Sequence, residues 1–111
     1  MPRKTHSFAP QTLDAAQVLG AQIAQARRER GWTVEELAER VGVSTRTVYN
    51  LEHGSPTITM GLAFEAATLL GISLLAADGP ELARLARQGR ETLALLPSRV
   101  RPGRDAVRDD F

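Results

Sequence analysis

Cysteine is missing altogether from this chain of 111 residues. That excludes disulfides, thiol nucleophiles and thiolate-held metals, and it fits a reducing compartment. Long apolar runs are missing too. No stretch approaches the roughly 20 residues of a membrane span, and the opening Met-Pro-Arg-Lys-Thr-His has no apolar core of the kind an export signal carries. A cytoplasmic protein without membrane contact is the expectation. Aromatic residues are scarce, with three Phe, one Trp and one Tyr, so the core has to be assembled from Leu, Ile, Val and Ala. A hydrophobic content of 42% over this length supports one modest core and not two.

Groups that carry chemistry are equally few. The two histidines, His6 and His53, fall in an opening arm and at a helix end, with no Asp, Glu or Cys at ligand spacing. No glycine-rich phosphate loop or nucleophile elbow occurs. No catalytic residue, metal site or cofactor is therefore expected, and the chain is not expected to be an enzyme. His53 reads as a helix C-terminal side chain that interacts with the helix dipole. The net charge of +1 conceals an uneven distribution. Residues 1–30 hold five Lys or Arg against two acids, residues 81–111 seven Arg against five acids, and residues 31–80 only two Arg against six acids. The centre is acidic and the flanks are basic.

What is present is concentrated between residues 31 and 54, Gly-Trp-Thr-Val-Glu-Glu-Leu-Ala-Glu-Arg-Val-Gly-Val-Ser-Thr-Arg-Thr-Val-Tyr-Asn-Leu-Glu-His-Gly. Thr33 is a good N-cap and Glu36 stands three residues on, the spacing of a capping box. Trp32 before the cap and Leu37 after it are spaced as a hydrophobic staple. A helix over about 34–41 follows. Gly42 suits the left-handed residue that ends it, Val43 is the apolar residue of the turn, and Ser44 caps a second helix that Gly54 ends in the same way. Leu37, Ala38, Val41, Val43, Val48 and Leu51 recur at helical spacing across the turn, so one side of both helices can be buried together. Two short helices joined by a tight glycine turn have the layout of a helix-turn-helix.

The outer side of the second helix then holds Thr45, Arg46, Tyr49 and Asn50, with Thr47 near the margin. Arg can bond two acceptors of guanine at once, Asn can bond adenine through both amide atoms, and Thr offers a hydroxyl plus a methyl for thymine. Any soluble helix shows such residues singly. Their coincidence with two caps and a Gly-Val-Ser turn at the correct offsets points to DNA. With an acidic centre, phosphate affinity has to come from Arg46, helix N-termini, hydroxyls and the basic flanks. A lone protomer should bind weakly, and a dimer on a two-fold site would double the contacts.

Three runs carry a family resemblance: Gln25 to Ser44, Val48-Tyr-Asn-Leu-Glu-His-Gly, and Phe64-Glu-Ala-Ala-Thr-Leu-Leu-Gly-Ile-Ser. Residues 18–76 resemble a Cro/repressor-type helix-turn-helix domain of the Xre class, and the whole chain resembles a HipB-like antitoxin. The resemblance implies base contacts from Thr45, Arg46 and Asn50. It implies DNA-backbone contacts from Ser44, Tyr49 and His53, to which the hydroxyls of Thr33, Ser55 and Thr57 are added. It also implies a structural ion pair between Arg27 and Glu52. The chain departs from the family in carrying Val34 where a phosphate-bonding Gln is common.

The remaining chain is expected to divide into a flexible arm at 1–11, a helix-turn-helix domain at 12–77, an amphipathic helix at 78–96 and a disordered tail at 97–111. Within the domain, a helix over about 12–30 turns Leu19, Ile23 and Ala26 inward, and another near 59–70 presents Leu62, Ala66, Leu69 and Leu70. Met60, Phe64 and Ala67 form a second stripe, read as core edge or as interface. Together with Ile72 and Leu74 they are the expected dimer contacts. The resemblance implies that Ile72-Ser-Leu-Leu75 pairs as a strand with its twin, whereas the residues alone suggest a loop or a turn of helix. Asp78-Gly-Pro-Glu81 reads as a helix start, after which Leu82, Leu85, Ala86, Leu93 and Leu96 make one apolar stripe. That stripe and a tail containing Arg99, Arg101 and Phe111 are the expected partner-binding arm.

The expected fold is all-α, a compact four- to five-helix Cro/repressor-like domain with a C-terminal helix. The expected function is a homodimeric repressor on an inverted-repeat operator of double-stranded DNA. By the resemblance, it is also the antitoxin of a HipBA-like pair that regulates its own operon and neutralises a HipA-type kinase toxin. A stand-alone Xre-type repressor of phage or metabolic genes, and an adaptor that uses the fold for protein contacts alone, are the alternatives.

Overall fold

The computed structural model describes residues 7–100. They form five helices, α1 (Pro10–Glu29), α2 (Val34–Val41), α3 (Thr45–Glu52), α4 (Met60–Leu69) and α5 (Gly79–Ala94). No helix among the described residues is long and apolar enough to cross a membrane. The chain divides into two units, residues 1–76 and 77–111.

In the first unit α2 packs on α3, α1 on α3 and α4 on α2. The core is Ile23 of α1, Leu37 and Ala38 of α2, Val48 and Leu51 of α3, and Ala63, Ala66 and Leu70 at and after α4. Leu19, Ala26, Trp32, Val34, Val41, Val43, Ile58 and Ile72 close its edge. No aromatic residue is central, in keeping with their scarcity. Each of the first four helices is closed at its C-terminus by a backbone N–H reaching five residues back. The bonds are Trp32 to Arg27 (3.1 Å), Val43 to Ala38 (2.9 Å), Ser55 to Asn50 (2.9 Å) and Ile72 to Ala67 (2.9 Å). Such a closure needs a left-handed residue just inside the bond, and the glycines supply it, Gly42 with φ 86° and Gly54 with φ 81°.

Three expectations change. The first helix begins at Pro10 rather than near 12, because proline is favourable at the first helical position. The buried face of α4 is Ala63, Ala66 and Ala67, while Leu62 and Leu69 are only half-buried. Small side chains face inward because they let α4 approach α2 closely, which rotates the inner face by one position from the leucine pattern. Ala67 consequently has no exposed surface and is not a dimer contact. Within the single chain Ile72–Leu75 forms a turn, with Leu74 and Ala77 as isolated bridge residues and no strand among the described residues; pairing with a twin belongs to the dimer. Leu75 and Ala76 sit at φ 54° and 56°, in the left-handed region that extended backbone cannot enter.

In the second unit, α5 is started by Asp78, whose carboxylate accepts from the Glu81 N–H at 2.8 Å. An Arg84 fork on Glu81 and a bond from Arg84 to Gln88 reinforce its first turns. The helix stops at Ala94, two residues short of the expected end, and buries no residue. Leu82 is half-buried, while Leu85, Leu93 and Leu96 are exposed. Arg99 is also exposed, whereas Arg101, Phe111 and His6 lie outside the described residues.

Candidate nucleic-acid interface

The element that presents the interface is α3, and its position is set from both ends. At the start of α2, the Thr33 side chain accepts from Glu36 N–H at 3.0 Å while Glu36 accepts from Thr33 N–H at 2.8 Å, a complete capping box. Trp32 packs against the core edge beside it. Its ring is covered by the guanidinium of Arg40 at 4.1 Å and flanked by that of Arg30 at 5.4 Å. After the Gly42 turn, Ser44 accepts from Thr47 N–H at 3.1 Å and its hydroxyl lies 3.0 Å from that of Thr47. The Thr33 cap keeps its own O–H available to an outside acceptor, while Ser44 and Thr47 share one hydrogen bond in which either hydroxyl can donate.

The back of α3 is held by α1. Arg27 grips Glu52 with two bonds, Nε to Oε2 at 2.6 Å and Nη2 to Oε1 at 3.0 Å. Its third arm, Nη1, donates to the Trp32 carbonyl at 2.8 Å. The two side chains are 9% and 6% exposed, so this pair is desolvated and its geometry matters. The hydrogen bond it donates to Glu52 is the main reason the Arg27 guanidinium holds its proton even more tightly than usual, against the opposing effect of burial. One further contact has no counterpart in the sequence reading. Gly20, inside α1, lies so close to the end of α3 that a Cβ there would stand 2.4 Å from the Leu51 carbonyl oxygen and 2.8 Å from that of Glu52. A glycine in the middle of an otherwise good helix was the signal available for it.

With Val48 and Leu51 buried behind, the front of α3 exposes Thr45, Arg46 and Tyr49, with Asn50 and Thr47 half-buried. Arg46 and Asn50 donate no side-chain hydrogen bond to the described residues. Of the two arginines between residues 31 and 80, Arg40 is engaged on Trp32, which leaves Arg46 as the cation of this face. Tyr49 and His53 stack with ring centroids 4.0 Å apart. Ser55 and Thr57, in the loop after α3, bring their hydroxyls within 3.0 Å of each other. Val34 packs against the core edge, consistent with an apolar residue at that position. Among the described residues no group of three His, Asp or Glu could hold a metal ion.

Comparison with known proteins gives one consistent result. The helix-turn-helix family matches residues 23–76. An uncharacterized HTH-type transcriptional regulator y4dJ of Sinorhizobium fredii is 36% identical over 61 residues, which are 55% of this chain and 79% of that protein. An uncharacterized HTH-type transcriptional regulator of Methanothermobacter thermautotrophicus is 47% identical over 49 residues, 44% of this chain and 71% of that protein. Among solved structures, a HipB–O4 20mer complex is similar at 24% identity and TM-score 0.49, over 68% of this chain and 99% of that one. A HipA–HipB–O2–O3 complex is similar at the same identity and TM-score, over 68% and 97%. From its match to the helix-turn-helix family and to these two regulators, the chain belongs to the Xre-type helix-turn-helix transcriptional regulators, a DNA-binding family.

Proposed function

We propose that the chain is a sequence-specific repressor that binds an inverted-repeat operator, its own promoter included, as a homodimer. The observation that carries this reading is the front of α3. Thr45, Arg46 and Asn50 face outward from a helix that a buried ion pair and a glycine contact clamp from behind. In this reading these three side chains address base edges, and Thr33, Ser44, Ser55 and Thr57 offer hydroxyls to phosphates. Dimer contacts fall to Met60, which is 71% exposed, and to the half-buried Phe64, Ile72 and Leu74.

The test is binding to duplexes from upstream of the chain's own gene. Affinity should fall steeply with salt, and sedimentation should find two protomers per duplex. Arg46→Ala should cost about 1–3 kcal/mol and relax the preference at one base pair. An adaptor that uses the fold for protein contacts would show neither the salt dependence nor the Arg46 effect.

A second partner is favoured by one further observation. Helix α5 buries none of its residues, and Leu93, for example, is 70% exposed. With the resemblance to HipB-like antitoxins, we assign residues 78–96 and the tail 97–111 to a HipA-type toxin protein. Leu82, Leu85, Leu93 and Leu96 form one contact, and Arg99, Arg101 and Phe111 the other. Deleting 97–111 should leave the melting temperature unchanged and weaken toxin binding in a direct titration. Unaltered binding would return the reading to a stand-alone repressor.

A further inference from the structure

Three side chains follow one another along the exposed surface of α3. Arg46 stands one turn before Tyr49, with its guanidinium carbon 5.7 Å from the ring centroid. His53 stands one turn after Tyr49, its ring 4.0 Å away and inclined by 28°. The histidine is itself fixed, because Nδ1 lies 2.8 Å from the Tyr49 carbonyl oxygen. A carbonyl only accepts, so Nδ1 carries the proton. Nδ1 is therefore spent on the helix's own backbone and is not available to a phosphate.

From this geometry we infer that Tyr49 and His53 are positioning residues for Arg46, acting as a ladder that holds the guanidinium for base reading rather than as contacts to the DNA backbone. The inference rests on the repressor reading and deepens it. The physical basis is the cost of ordering a long side chain. An arginine that is free in solution loses its rotamer freedom on binding, whereas one already lying against a ring loses less. The ring offers the guanidinium its negative face. The ring is in turn kept from turning away by the stacked imidazole, and the imidazole by its bond to the helix backbone. Arg46 hydrogen-bonds nothing among the described residues, so the ladder restrains it without consuming the donors that a guanine would use.

The test uses the full chain and a pool of randomised DNA duplexes, from which the wild-type protein enriches its preferred sequence. Discrimination at the base pair that Arg46→Ala relaxes is then measured in each variant. Tyr49→Phe keeps the ring and should match the wild type. Tyr49→Ala should lower discrimination there by about two- to fivefold, the range for an exposed cation–π contact. His53→Ala, which removes a side chain that does not touch Arg46, should lower it by less. In an Arg46→Ala background Tyr49→Ala should change nothing further at that position. If Tyr49→Phe weakens binding to every sequence evenly, the hydroxyl holds the DNA backbone and the inference is overturned. Undiminished discrimination in Tyr49→Ala overturns it as well. A wild-type protein that enriches no sequence would sink the repressor reading, and the ladder would then be decided without DNA, by nuclear magnetic relaxation of the Arg46 Nε–H group. Faster motion in Tyr49→Ala but not in Tyr49→Phe supports the ladder, and unchanged motion in both rejects it.

Discussion

The helices α3 and α5 begin with the same device and end in different circumstances. Ser44 caps α3 and Asp78 caps α5, each accepting a backbone N–H three residues on. Helix α3 then buries Val48 and Leu51 and is gripped through Glu52, whereas α5 buries nothing and relies on its cap and its Glu81–Arg84–Gln88 side-chain bonds. Capping decides where a helix starts, and burial decides how much its residues are worth to stability.

The sharpest way to break the comparison is to remove one member of each ion pair. Glu52→Ala leaves Arg27 buried without its counter-charge and should cost about 3–5 kcal/mol in a thermal melt. Glu81→Ala, at an exposed pair, should leave the same melt unmoved. Equal effects would mean that burial does not separate the two helices. The next test exchanges glycine for alanine within helices. At Gly20 the added carbon meets the backbone carbonyls of Leu51 and Glu52, which cannot step aside, so Gly20→Ala should destabilise by about 1–3 kcal/mol. At Gly89 nothing lies within 4 Å, and Gly89→Ala should instead raise the helicity of α5, by about 0.5–1 kcal/mol. The signs should be opposite, and chemical denaturation followed by circular dichroism reads both.

The smallest expected effect is on pH dependence. The Arg84 fork holds the Glu81 carboxyl below the usual carboxylate range. A carboxylate with a lowered folded value contributes its stabilisation above the unfolded value and loses it as pH falls through the folded one. The Cα chemical shifts of residues 79–94 should therefore drift toward coil as acid protonates the Glu81 carboxylate. Arg84→Ala should move that drift to higher pH, and an identical titration with and without Arg84 would remove the fork as a source of order.

Much of the α1 to α4 arrangement could be read from the chain because its signals are short. Thr33 with Glu36, Gly42 with Val43, and Ser44 with Thr47 each act across a few residues, and the hydrogen bonds they announce all form. The contents of the α3 front could be read because Val48 and Leu51 mark the opposite side. The pairing of Arg27 with Glu52 could not be read from spacing, since 25 positions separate them, and only the family resemblance brought them together. The Arg46–Tyr49–His53 contacts stand at helical spacing, but residue type alone speaks only of hydrogen bonding toward DNA and not of rings and a guanidinium lying against one another.

What the sequence by itself determined, then, is where four of the helices stop, how α2, α3 and α5 are capped, and which residue types remain on the outer side of α3. Those outcomes rest on backbone bonds that close within five residues and on a periodicity internal to each helix. The tertiary structure alone decided that α4 turns its alanines inward and that Gly20 touches the end of α3. It also decided that Leu75 and Ala76 adopt the left-handed region. Each of these depends on how closely two surfaces can approach, and that distance is set by the volumes of side chains distant in the chain, which no local pattern records.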